Sequence, residues 1–178
     1  MNTILTLSSF IFPLITFPYV SRILLPEGTG RVSFATSVVS YFLMLSQLGI
    51  PTYGIRACAK VRDDRRKLSR VVHELMAINL VMSLLSYLTL GIFVFAIPRL
   101  CAQSSLIFII SLTILLNAVG MEWLYKALEQ YTYITIRSVI FKAIAVVAML
   151  LLIRQQSDYV VYGALTILAA SASNVCNF

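Results

Sequence analysis

The stretch SRILLPEGTGR, Ser21 to Arg31, decides how the rest of the chain is read. On either side of it the sequence is apolar for about twenty residues, the length a helix needs to cross the hydrocarbon of a bilayer. Inside it stand two arginines, a glutamate, a proline and two glycines. Proline fixes φ and removes a donor, and glycine reaches backbone angles that other residues avoid. Pro26, Gly28 and Gly30 therefore predict a sharp turn between two membrane-spanning helices. Glu27 and Arg31 are expected to cap and solvate that turn. Arg22 is left over, a cation at a helix end where topology alone asks for none.

Composition agrees with that reading. The 178 residues are 60% hydrophobic and only 12% charged, with a mean hydropathy of +0.91, which suits a bilayer rather than water. The net charge of +7 lies in connectors between apolar runs and not along one polar face, so it reads as membrane topology rather than nucleic-acid binding. Six segments are long enough to span: Ile4 to Ile23, Val32 to Ala59, Leu75 to Ile97, Leu106 to Leu124, Thr135 to Ile153 and Tyr159 to Phe178. The runs are continuous rather than ten-residue alternations, which favours helices over a barrel. The expected fold is an all-α polytopic transmembrane bundle of about six helices. The first run lacks a basic leader and a small-x-small cleavage site and contains Pro13 and Pro18, so it reads as a retained helix.

Ten of the fourteen basic residues fall toward one side of the proposed spans, seven of them from Arg56 to Arg70, together with Lys126, Arg137 and Lys142. Arg22, Arg31, Arg99 and Arg154 fall on the other. The positive-inside rule then places the N-terminus in the cytoplasm. The run KVRDDRRKLSRVVHE, Lys60 to Glu74, fits either an interfacial helix on the inner leaflet or a solvated connector. The last segment reaches Phe178 without a basic stop. Residues 1–178 are therefore expected to form the N-terminal six-helix lobe of a longer protein.

No catalytic constellation is visible. His73 is the only histidine and has no nucleophile at motif spacing. Cys58, Cys101 and Cys176 are far apart, and no phosphate-cradling GxxxxGK occurs. Neither enzyme activity nor a cofactor or metal site is expected. Irregular backbone is more informative. Pro13 and Pro18 are expected to break the first helix. The second carries QLGIPTYGIR, Gln47 to Arg56, with Gly49, Pro51 and Gly54 at membrane depth. Such breaks free carbonyls that need neighbouring helices or water, either as packing kinks or as the border of a wet cavity. Gln47, Asn79 and Asn117 are candidate polar cavity residues. Arg56 and Lys142 are candidate cations near cytoplasmic helix ends, where snorkelling is also open to them. Glu122 and Lys126 are spaced to pair along a helix.

Four blocks together resemble a known family: PLITFPYVSRILLPEGTGRVSFA (Pro13 to Ala35), LGIPTYGIRACAKVRDD (Leu48 to Asp64), INL (Ile78 to Leu80) and GMEWLYKALEQYTYITIRS (Gly120 to Ser138). They are similar to the N-terminal half of bacterial polysaccharide flippases, the Wzx-type repeat-unit transporters of O-antigen, capsule and exopolysaccharide, within the multidrug/oligosaccharidyl-lipid/polysaccharide exporter superfamily. The resemblance implies two six-helix lobes around a central cationic cavity in the bacterial cytoplasmic membrane. It implies an undecaprenyl-diphosphate-linked oligosaccharide as substrate, alternating access as mechanism, and polysaccharide polymerase and chain-length machinery as partners. On this resemblance Arg22 in PYVSR and Arg56 in YGIR are the leading anion contacts, with Lys142 a further cavity cation. RACAK departs from the family's pattern at Ala57 and Cys58. A cation-coupled multidrug exporter would want a buried carboxylate, to which only Glu122 comes near. A flippase for lipid-linked peptidoglycan precursors stays open, and a glycan polymerase would need a long external loop.

Overall fold

The computed structural model of the chain describes residues 2–171 and 174, all of the regular elements among them helical. The helices are α1 (Asn2–Gln47), α2 (Ile50–Lys60), α3 (Arg65–Ala96), α4 (Pro98–Cys101), α5 (Ser104–Val119), α6 (Glu122–Ala127), α7 (Tyr131–Leu152) and α8 (Tyr159–Ala170), with a 3-10 turn at Gln156–Asp158 before α8. Among the described residues three stretches are long and apolar enough to cross a membrane: Phe10–Lys60, Arg65–Ala96 and Tyr131–Leu152.

The 46 residues of α1 are not one rod. Leu25 has φ 57° and ψ 175°, outside helical space, and divides α1 into a limb over residues 2–24 and a limb over 26–47. Packing shows that the chain reverses there. Residues 12, 13 and 16 line a cleft with residues 142, 145 and 149 of α7, and the Tyr19 hydroxyl donates to the carbonyls of Leu150 (3.2 Å) and Ile153 (3.1 Å). The first limb therefore runs parallel to α7. It runs antiparallel to α8, because Ala169 and Ala170 sit beside residues 12 and 13, while Tyr159 meets the region of Leu24 and Gly28.

The second limb runs antiparallel to α3, with the Ser86 hydroxyl donating to the Phe42 carbonyl at 2.6 Å and Val32 to Val39 clustering with Leu90 and Val94. α3 is antiparallel to α5, through Asn79–Ala118 and Tyr87–Ser111. α5 is parallel to α8, through Leu106–Gly163 and Asn117–Ser171. These directions close only if the two limbs of α1 oppose each other. Among the described residues the bundle thus packs six helical segments of alternating direction: both limbs, α3, α5, α7 and α8. Their apolar residues pack into one cluster of Val32, Ala35, Val39, Leu90, Ile107 and neighbours, and a second of Val20, Leu24, Met149, Ile153 and Leu165.

The turn expected from Pro26, Gly28 and Gly30 exists, but its parts do different work. Leu25 carries the left-handed angle. Pro26 opens the returning limb, where a missing N–H costs nothing. A Cβ on Gly28 would lie 3.0 Å from Leu24 Cβ, whereas one on Gly30 would meet nothing within 4 Å. Glu27 and Arg31 do not cap the turn. They pair with each other at 2.6 Å one helical turn apart.

Pro13 and Pro18, expected to break the first helix, lie in helical backbone; the only non-helical residue inside α1 is Leu25. The expected break in QLGIPTYGIR falls at Leu48 (φ 38°) and Gly49 (φ 76°). Pro51 lies in the first turn of α2, and Gly54 lies within α2 rather than at a break. The second span thus ends at Gln47 and not Ala59, and the fourth ends at Val119 and not Leu124, where Met121 (φ 36°) starts the short α6. The Lys60 to Glu74 run is no separate interfacial helix, since α3 passes unbroken from Arg65 into its span. The final segment is described as helix to Ala170; residues 172–173 and 175–178 lie outside the described residues.

At the bundle end opposite Leu25, α2 and α6 close the structure. Cys58, Leu75, Trp123 and Ala127 form a third buried cluster there, and Arg62 Nη1 reaches Glu129 Oε1 at 3.2 Å.

Candidate functional site: a cleft between α1, α7 and α8

The two limbs of α1 separate two packing units, and a cleft of about 420 Å³ opens between the first limb, α7 and α8. Its polar residues are Thr16, Ser138, Lys142, Tyr162 and Thr166; Pro13, Ala145 and Met149 supply apolar wall. Helical periodicity assembles it. Ser138, Lys142, Ala145 and Met149 recur every three or four residues and share one face of α7, as do Tyr162, Thr166 and Ala170 on α8.

Lys142 holds the deciding position. α7 runs from Tyr131 to Leu152, so Lys142 lies eleven residues from its start and about 16 Å from either end at ~1.5 Å per residue. The sequence had placed Lys142 close to a helix end; α7 begins four residues earlier than expected and puts it halfway. An ammonium at membrane depth costs about 2.5–3.5 kcal/mol on insertion scales, and the residues that bear this cost face protein or water-filled space. The half-buried Lys142 faces the cleft. The hydroxyls of Thr16 and Thr166 already donate to the carbonyls of Phe12 (3.0 Å) and Gly163 (2.6 Å). Each therefore offers the cleft a lone pair, while the ammonium offers donors.

The other sequence candidates lie elsewhere. Arg22 is exposed near the Leu25 end, and Arg56 is exposed on α2 at the far end; neither lines this cleft. Asn79, expected at a cavity, is buried between helices with Nδ2 donating to the Ala118 carbonyl at 3.2 Å. Asn117 donates to the carbonyl of Thr113 (2.9 Å) and to Ser171 Oγ (3.3 Å) and accepts from Asn174 Nδ2 (3.2 Å). Both asparagines, Asn79 buried and Asn117 half-buried, are interhelical ties of the kind polar side chains make among apolar helices. Gln47 is the half-buried last residue of α1. Of the proposed helix-break residues only Pro13 lines the cleft; Gly49 and Pro51 shape the passage into α2, and Gly54 packs beneath Trp123.

Sequence reasoning missed Thr16, Ser138, Tyr162 and Thr166, though the four-residue spacing of Ser138 with Lys142 and of Tyr162 with Thr166 was available as a signal. It also read Arg137 only as a topological charge. Arg137 is buried, with its guanidinium 5.3 Å from the centre of the Tyr133 ring, a cation–π placement. At the Leu25 end a second cleft of about 210 Å³ is lined by Glu27, Arg31, Gln156 and Tyr159, and Arg31 stacks on Tyr159 at 5.4 Å. Among the described residues no group of three His, Cys, Asp or Glu could hold a metal ion.

The family described as "Polysaccharide biosynthesis protein" matches residues 1–177. A protein of Escherichia coli (strain K12) named "Putative O-antigen transporter" is 21% identical over 156 residues, covering 88% of this chain and 38% of its own length. The chain thus spans well under half of that relative. No solved structure matches. The bundle is that of a multi-pass membrane protein, and a match running along all but the last residue assigns it: the chain belongs to the polysaccharide biosynthesis protein family.

Proposed function

We propose that this chain is the N-terminal six-helix lobe of a flippase. The flippase moves undecaprenyl-diphosphate-linked oligosaccharides across the bacterial cytoplasmic membrane for surface polysaccharide assembly. The observation that carries the reading is the placement of Lys142 halfway along the bundle, in a cleft that also presents Thr16, Ser138, Tyr162 and Thr166. A diphosphate cannot enter hydrocarbon unpaired, and a positioned ammonium in a low-dielectric cleft compensates its charge far better than the same group in water. Sugar hydroxyls need both donors and acceptors, which the cleft's hydroxyls supply.

In this reading Arg22 and Arg56, exposed at opposite ends of the bundle, meet the anion as it leaves and as it enters, and Lys142 holds it between. Alternating access would open the cleft to one side and then the other by rocking this lobe against a second. The heavily basic α2–α3 end faces the cytoplasm and the Leu25 end faces outward, which puts the N-terminus inside. The role is transport rather than catalysis, with polymerase and chain-length proteins acting on the delivered repeat units.

The test uses the gene in its producing cells. Lys142→Met should abolish surface polysaccharide and accumulate lipid-linked repeat units, with the protein still present in the membrane fraction. Lys142→Arg should retain most of the polymer. Normal polymer in Lys142→Met would overturn the assignment.

A further inference from the structure

A second groove lies outside the cleft, at the α2–α3 end of the bundle. It has a volume of about 530 Å³ and is lined by Arg62, Arg65, Leu68, Val72, Leu124 and Leu128, with Ser69 and Gln130 between. Its charge and its apolar surface are separated along one axis. Leu68 and Val72 stand one turn apart on α3, and Leu124 and Leu128 face them from α6 and its end. Arg62 and Arg65 mark the rim, where the 61–64 turn enters α3. From Arg65 to Val72 the helix rises about 10 Å, so the groove passes from water toward membrane depth with cations outermost.

The rim keeps a net positive charge after its own pairs are counted. Arg62 is shared with Glu129 (3.2 Å) and Asp63 (4.0 Å), and Lys67 pairs with Asp64 at 3.2 Å. Arg65 and Arg66 add two further cations to this rim, while the first-turn N–H groups of Arg66 and Lys67 are taken by Asp64 Oδ1 (3.1 and 3.2 Å). Arg62 remains nearly half exposed in spite of its pairs, at 46%, so its guanidinium can reach a second acceptor.

We propose that this groove is a binding site for one anionic phospholipid of the adjacent leaflet. Its phosphate is held by Arg62 and Arg65 and the upper part of an acyl chain lies along Leu68, Val72, Leu124 and Leu128. Charge complementarity selects the headgroup, and the apolar floor selects an amphiphile over a soluble phosphate. The site is separate from the Lys142 cleft and stands whether or not that cleft carries a glycolipid.

The test is native mass spectrometry of the full chain, released from nanodiscs of equimolar phosphatidylglycerol and phosphatidylcholine with identical acyl chains. The wild type should retain one phosphatidylglycerol in preference to phosphatidylcholine. R62Q/R65Q should bind it about tenfold more weakly, R62K/R65K should keep the preference, and R99Q/R154Q at the opposite end should match the wild type. Leu128→Trp, which fills the groove without altering charge, should also release the lipid. Equal loss in R62Q/R65Q and R99Q/R154Q would mean diffuse attraction to the membrane and would overturn the proposal. So would unchanged retention in Leu128→Trp, or displacement of the lipid by millimolar inorganic phosphate alone.

Discussion

Gly54 of α2 lies directly beneath the indole of Trp123 on α6: a Cβ built on it would come within 2.7 Å of Cε3 and 2.9 Å of Cδ2. This contact joins the two short helices that close the basic end of the bundle, in a cluster with Cys58, Leu75 and Ala127. Gly54→Ala should therefore cost about 1–3 kcal/mol, the usual range for overpacking. The double variant Gly54→Ala/Trp123→Leu should recover part of that loss. Thermal unfolding in detergent measures both, and strict additivity of the two single changes would contradict the contact.

The two glycines of SRILLPEGTGR separate by the same logic. Gly28→Ala should destabilise, because Leu24 Cβ stands 3.0 Å from the new atom and the reversal at Leu25 holds both. Gly30→Ala meets open space within the helix and should be neutral or stabilising by up to about 1 kcal/mol. A ranking in which Gly30→Ala is the worse of the two would contradict the hairpin geometry.

Much of this architecture was legible before any coordinate. The apolar runs did fold as the packed helices of a membrane bundle, and the irregular QLGIPTYGIR did interrupt its helix, because hydrophobic length and glycine both act locally. The misplacements share a cause. Leu25, Leu48, Met121 and Glu129 are non-glycine residues with positive φ, each at a junction between helices. The tertiary contacts that hold such angles leave no mark on local sequence. Pro13 and Pro18 misled in the opposite direction, since proline suggests a break that neighbouring helices can suppress. Lys142 was visible as a cation, but its depth depended on where α7 begins, a boundary that composition leaves loose.

Asp64 caps α3, accepting from the backbone N–H of Arg66 (3.1 Å) and Lys67 (3.2 Å). The bond from the Lys67 amide, then the Lys67 ammonium, hold its carboxyl below the ordinary value of 3.8. Asp158 is lowered in the same direction by the amides of Arg154 and Gln155. For a depressed carboxyl, the stabilisation is complete above the ordinary value and is lost as pH falls through the lower folded one. Amide shifts of Arg66 and Lys67, followed by NMR, should titrate with a midpoint under 3.8 and stop titrating in Asp64→Asn. A midpoint above 3.8 would contradict the cap.

Asn79 donates to Ala118, but its Oδ1 is buried without a hydrogen-bond partner. Asn79→Leu removes one interhelical bond, worth about 0.6 kcal/mol on average in membrane bundles, and also removes the unsatisfied acceptor. Stability in detergent should change by less than about 1 kcal/mol, and surface polysaccharide should persist. Loss of polymer from a stable Asn79→Leu protein would move the anion path toward α3 and away from Lys142.

The cleft itself can be read with a single cysteine. In a background with Cys58, Cys101 and Cys176 replaced by serine, Ser138→Cys places a thiol one turn from Lys142 on the cleft wall. Its labelling by a water-soluble maleimide should be measured in membranes with and without accumulated lipid-linked oligosaccharide. The account predicts ready labelling in empty membranes and strong protection when the glycolipid is present, with the protection lost on adding Lys142→Met. A thiol that labels equally under both conditions would contradict a glycolipid site at Lys142.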